Sequence, residues 1–94
     1  MFLRVISFRV KPESLGRFEE LCDSSRKPLS GISGMQRCFG AVDESGNAVV
    51  IGVWDSEDAA TKAQPALQAV WAALSEHMAE QPRPTEYKSG YTLK

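Results

Sequence analysis

Seven consecutive residues, Ala48 to Trp54 (AVVIGVW), carry no polar side chain apart from the indole that ends the run. Read with the period of two that a strand imposes, Val49, Ile51 and Val53 fall on one face and Ala48, Val50 and Trp54 on the other. A strand that is apolar on both faces has to be covered on both. The stretch that follows, Asp55-Ser56-Glu57-Asp58-Ala59-Ala60, turns abruptly polar and then small. Asp55 or Ser56 can cap a helix by accepting a hydrogen bond from an orphan backbone N–H. Glu57 and Asp58 then sit where the helix dipole favours negative charge. GVWDSEDAA therefore reads as a corner where a strand becomes a helix rather than as a catalytic motif.

The remaining segments fit around that corner. FLRVISFRV (2–10) is β-branched and aromatic, with Phe2, Ile6, Phe8 and Val10 on one face and Leu3 and Val5 on the other. Lys11-Pro12-Glu13 opens a helix of about 13–27 with Leu15, Phe18, Leu21 and Cys22 on its inner face, and Pro28 is expected to end it. MQRCFGAV (35–42) is a second strand, and the turn DESGN (43–47) joins it to the apolar third. A short helix of about 56–63 follows and is interrupted at Pro65. Leu67, Val70, Trp71, Leu74 and Met78 then mark an amphipathic helix to about residue 80. Pro82 and Pro84 end it, and TEYKSGYTL (85–93) is a fourth strand with Tyr87, Tyr91 and Leu93 on one face.

The order βαββαβ predicts an α+β, ferredoxin-like protomer: a four-stranded antiparallel sheet with the helices on one face. With 94 residues the chain is a single domain, 1–94. Two helices cover one side of such a sheet, and the apolar residues of the first and third strands leave the other side bare. A second copy packed sheet against sheet is the economical cover, giving a homodimer.

Composition removes several classes of function. Eleven Lys and Arg against twelve Asp and Glu give a net charge of −1, without the basic stripe of a nucleic-acid binder. No segment reaches the roughly 20 apolar residues of a membrane span, and the N-terminus is interrupted by Arg4 and Arg9. The expectation is a cytoplasmic protein without membrane or nucleic-acid partners. Cys22 and Cys38 form no CxxC pair, and a single histidine makes a zinc site improbable, so the two read as free thiols packed like small hydrophobes. The fingerprints GxGxxG, HExxH, GxSxG and the P-loop are absent.

The strand leading into Lys-Pro-Glu and a helix, the GISGM loop (31–35), the VVIGVWDSEDAA junction (49–60) and the closing YKSGYTL (87–93) together resemble the antibiotic biosynthesis monooxygenase (ABM) family of dimeric α+β barrels. The junction is the most specific of these. The resemblance implies a barrel-forming homodimer with a pocket between sheet and helices in each protomer. It also implies an activity on small molecules. Some members oxidise phenols with O2 and no cofactor, and many have no demonstrated activity. The positions that serve haem degradation in other members fall near Val5, Ala63 and Ala73, where no residue matches.

The candidate chemistry follows from residue type and place. His77, beside the apolar face of the last helix, can relay a proton near neutral pH, or can be a solvated flank residue. Trp71 and His77 lie six residues apart, roughly 240° around a helix axis, so the histidine should meet a cavity only at its rim. Trp54 and Trp71 are candidate pocket walls, and equally core residues. Arg4 and Arg37, in otherwise apolar strands, need a carboxylate partner, a second subunit or an anionic ligand. Tyr87 and Tyr91 offer hydroxyls to a phenol, or pack at an interface. The expected function is a cofactor-free monooxygenase of a small phenolic or quinol-like molecule, with His77, Tyr87 and Arg37 catalytic and Trp54, Trp71, Arg4 and Tyr91 binding substrate. The alternative is a non-catalytic, small-molecule-binding or stress-related protein on the same fold.

Overall fold

The computed structural model describes residues 1–94. Strand β1 spans Phe2–Arg9, β2 Met35–Val42, β3 Asn47–Trp54 and β4 Arg83–Tyr87, in the spatial order β2-β3-β1-β4 with every neighbouring pair antiparallel. Helix α1 is Phe18–Ser30, α2 Glu57–Lys62 and α3 Gln64–Ser75, and a 3-10 turn at Pro12–Arg17 precedes α1. This is the ferredoxin-like arrangement that the alternation of elements predicts. No helix is long and apolar enough to cross a membrane.

Register decides which residues look at the helices. Phe2 pairs with Trp54, Arg4 with Gly52 and Phe8 with Ala48, and all six belong to the helix-facing side. Two buried clusters form there. Phe2, Trp54, Ala60, Ala63 and Leu67 make one at the β3–α2 corner, and Phe8, Val10 and Ala48 make the other at the opposite end of β1. The other side of the sheet carries Leu3, Val5, Val49, Ile51 and Val53, none fully buried, and Phe39 at 51% exposure.

The β2–β3 hairpin is held by its turn. Asp43 accepts hydrogen bonds from the backbone N–H groups of Ser45 and Asn47, each at 2.9 Å, and from the Asn47 side-chain amide at 3.0 Å. Those donors, the Asn47 side chain first, hold the Asp43 carboxyl below its ordinary value. Gly46 adopts φ +90°, and a β-carbon there would lie 2.9 Å from the Val10 carbonyl oxygen, so only glycine closes this turn against β1.

Four boundaries differ from the sequence reading. The first helix opens as a 3-10 turn, tied to the chain after α3 by the Lys11 N–H donating to the His77 carbonyl at 2.9 Å. Pro28 does not end α1, which continues to Ser30. Proline removes one hydrogen bond near the helix end, and Leu29, packed against the Phe2–Trp54 cluster, holds the last turn in place. Helix α3 stops at Ser75, so His77 and Met78 lie in the following turn, where Met78 bridges to Val10. Finally, β4 is residues 83–87 rather than 85–93. Pro84 is tolerated because β4 is an edge strand with one free side.

Candidate functional site

Between the sheet and helices α1 and α3 lies a cavity of about 810 Å3, lined by 26 residues of which 16 are hydrophobic. Pockets for small organic ligands run from about 300 to 1,000 Å3 and are mostly apolar, so this one has the size and lining of such a site. Part of its wall is made of small residues, although at Gly40 itself helix and strand touch, a β-carbon there lying 3.3 Å from the Cys22 sulfur and 3.8 Å from the Phe18 ring. On the inner side of β2 stand Cys38 and Gly40, and α1 presents Cys22 and Ser25 to the same space. Helix α1 accordingly buries none of its residues fully.

Trp71 stands at mid-length. Its ring meets Phe8 edge to face, with centroids 6.0 Å apart and planes at 87°, and it packs against both buried clusters. Trp54, only 1% exposed, closes one end, its indole lying along the strand over Gly52, where a β-carbon would be 2.8 Å from Nε1. That close approach requires glycine.

At the same end Arg4 enters from β1. Its Nε and Nη2 donate to Glu86 Oε2 at 2.9 and 2.7 Å, and the guanidinium sits 5.7 Å from the centre of the Phe2 ring. The Arg4 side chain is 11% exposed, so the carboxylate answers the need for a partner that a half-buried cation creates. Arg4 thus finds its partner within the chain. Glu86 is the residue that sequence reasoning missed. Alternation sets Glu86 opposite Tyr87 and leaves open which of the two looks inward. The pairing of Arg4 with Glu86 and Leu3 with Tyr87 turns Glu86 toward the helices and Tyr87 away from them. The signal was an inward arginine on β1, which demands an acid on a neighbouring strand.

His77 occupies the other end. Its Nδ1 lies 2.9 Å from the Ser14 hydroxyl, and Ser14 is itself buried. The side chain is 16% exposed and lines the cavity, with Glu76 Oε1 3.4 Å from Nε2. Because α3 has already ended, the helical angle between Trp71 and His77 does not apply, and the histidine is a wall of the cavity rather than a distant flank. Arg4 and Val10 are six residues apart on one face of the first strand and its extension, roughly 20 Å at about 3.3 Å per residue.

The remaining candidates are not brought here. Arg37 pairs in register with Val53 on the sheet's other face and is exposed. Tyr87 shares that face at 53% exposure, and Tyr91, at 80%, lies beyond β4. The two tyrosines therefore do not share one face of a strand. The thiols of Cys22 and Cys38 are both free and both on the cavity wall. Burial, and then the neighbouring Cys22, push the Cys38 thiol above its ordinary value. No group of three or more His, Cys, Asp or Glu side chains converges within the chain to form a metal-ligand set.

The fold is shared with solved structures over nearly the whole chain. A conserved protein from Methanosarcina mazei Go1 superposes with a TM-score of 0.79 at 18% identity, covering 96% of this chain and 94% of that one. Rv0793 from Mycobacterium tuberculosis gives 0.74 at 16% identity, with all of both chains covered. A variant of SnoaB, a cofactor-independent oxygenase from Streptomyces nogalater, gives 0.77 at 21% identity, covering 98% and 95%. No curated protein sequence matches the chain. A family model does match, from residue 1 to residue 70, which is β1 through most of α3 and includes the whole β3–α2 corner. On that match, the chain belongs to the antibiotic biosynthesis monooxygenase family.

Proposed function

We propose that the protein is a monooxygenase acting on a flat phenolic or quinol-like molecule held between the sheet and helices α1 and α3, with no metal or flavin taking part. The observation that carries this reading is the cavity: an apolar slot of about 810 Å3 with an indole at mid-length, a charged pair at one end and an imidazole at the other. Membership of the ABM family and the likeness to an oxygenase fold support it.

The reaction balances without an external reductant. The phenol gives its hydroxyl proton to His77. The electron-rich ring carbon then passes electrons to O2 and forms a C–O bond. The resulting peroxide takes the proton back, and loss of water leaves a carbonyl, so that phenol and O2 become quinone and water. Negative charge moves during these steps from the oxygen near His77 toward the far end of the ring system. Arg4 stands at that end, its charge offset by Glu86, and the guanidinium N–H groups that Glu86 does not take can donate to an oxygen on which charge develops. Arg37, Tyr87 and Tyr91 have no part in this scheme. The free sheet face around Ile51 and Val53 is where a second copy would pack. The setting is the cytoplasm, where two unpaired thiols stay reduced.

The test is titration with a panel of phenols and quinols of one to three rings, followed by tryptophan quenching and oxygen uptake. Trp71→Ala should weaken binding by about thirtyfold, or about 2 kcal/mol, through lost aromatic contact. His77→Ala should keep affinity and lose turnover. Neither binding nor oxygen uptake across the panel would favour the non-catalytic alternative, and full turnover by His77→Ala would remove the histidine from the mechanism. In light scattering the wild type should run as a dimer and Ile51→Asp as a monomer, because a charge in a dry sheet layer costs several kcal/mol. A monomeric, folded wild type would overturn the dimer.

A further inference from the structure

The cavity wall holds two side chains that the oxygenation scheme does not use. Cys22 projects from α1 and Cys38 from β2, and both thiols are free, half-buried and open to the cavity. The Cys22 sulfur sits 3.3 Å from the position a β-carbon on Gly40 would take. Cys38 lies on the same inward face of β2, two residues before Gly40, which is about 7 Å along the strand. Helix and strand are in contact here, with the Phe18 ring 3.8 Å from the same β-carbon position.

We propose that Cys22 and Cys38 form a peroxide-reactive dithiol site, in which hydrogen peroxide converts the pair to an intramolecular disulfide that ties α1 to β2 across the cavity wall. In the first step a thiol sulfur attacks the peroxide O–O bond and its proton goes to the departing hydroxide, giving a sulfenic acid and water. In the second the other thiol sulfur attacks the sulfenic sulfur, the S–O bond breaks, and the second thiol proton joins the departing hydroxide as the second water. Two thiols are oxidised and one peroxide is reduced. Burial, and then the neighbouring Cys22, raise the Cys38 thiol above its ordinary value, so Cys38 is assigned the resolving step and Cys22 the first attack. Disulfide geometry asks for α-carbons roughly 4.4 to 6.8 Å apart. Closing to that distance calls for movement of α1, none of whose residues is fully buried, about the contacts that Phe18 and Leu29 make with the two buried clusters. The inference is independent of the monooxygenase reading, since peroxide from any source suffices.

The experiment treats the folded wild type with submillimolar hydrogen peroxide, quenches with an alkylating agent under denaturing conditions and maps tryptic peptides without reductant. The expected product is one species lighter by two hydrogens, with no alkylatable thiol, in which peptide 18–26 is joined to peptide 38–62. Dithiothreitol should restore both thiols. Hydrogen exchange in α1 should slow by about tenfold or more in the oxidised form and recover on reduction. Cys22→Ser and Cys38→Ser should each abolish the joined peptide, and Cys22→Ala and Cys38→Ala serve where a serine variant does not fold. Two thiols persisting through the treatment would overturn the proposal. So would separate sulfinic acids without a joined peptide, or a bridge found only between two chains.

Discussion

Two regions under the same sheet are built in opposite ways. At the β3–α2 corner a large ring meets small residues: Trp54 and Phe2 are packed by Ala60 and Ala63, and helix lies close to strand. Under α1 the fit is uneven: Cys22 and the Phe18 ring rest on Gly40, where a β-carbon would lie 3.3 and 3.8 Å from them, while Ser25 and Cys38 border a space that stays open. Apolar periodicity is present in both. What separates a packed corner from a hollow is the summed volume of side chains that face each other across two elements. Protein interiors fill to a nearly constant density, so a local deficit of volume becomes a cavity unless the elements move together. Here the corner, anchored by Trp54, holds α2 and α3 down on the sheet, and α1 is left to span the gap.

The sharpest way to break this comparison is to delete bulk from each region in turn. Trp54→Ala should cost about 3–5 kcal/mol, because it removes a fully buried indole and leaves a void that its neighbours cannot fill. In a domain of this size that is a large share of total stability. Leu21→Ala, on the cavity wall under α1, should cost about 1 kcal/mol or less. Leu21 is only half-buried, and the space it leaves joins one that is already open. Urea midpoints at constant slope measure both. Equal losses would mean that the hollow is packed in solution and that the cavity is not a standing feature of the fold.

The corner was legible in the residues themselves, whereas the hollow entered only through the family resemblance and its polar lining not at all, for one reason. Trp54, Ser56 and Glu57 act through neighbours in the chain, and alternation in strand β3 is a local signal. Arg4 and Glu86 are 82 residues apart and meet only through the register of β1 with β4. Alternation set Tyr87 and Glu86 on opposite faces without saying which looked inward, and pairing points Tyr87 outward. His77 was placed on a helix because Met78 continues the apolar stripe of α3. Met78 in fact serves a bridge to Val10, after the helix has ended. Pro82 and Pro84 read as the end of the last helix, and only the strand order reveals that β4 is an edge able to hold Pro84. Sequence analysis thus reached the aromatic candidates Trp54 and Trp71 from periodicity, and reached neither of the polar partners, Glu86 and Ser14, that hold Arg4 and His77 in place.

A smaller perturbation sharpens the contrast from the corner's side. Of the two residues able to cap α2, the structure selects Ser56, whose hydroxyl accepts the Ala59 N–H at 3.1 Å. Asp55 is occupied elsewhere, accepting from the Gln36 side-chain amide at 2.9 Å. Helix α2 has only six residues, too few to be stable without its cap and its packing. Its inner residue Ala60 is fully buried against the Trp54 cluster, so loosening the cap loosens the corner. Ser56→Ala should therefore lower stability by about 1 kcal/mol. Asp55→Ala, which removes an exposed side-chain contact, should cost less. The cap lies outside the wall of the large cavity, so both variants should bind a phenolic probe as the wild type does once compared at equal folded fraction. If Ser56→Ala instead keeps its stability and loses affinity, the corner is part of the binding site. The division between a packed anchor and a hollow that binds would then have to be redrawn around β3.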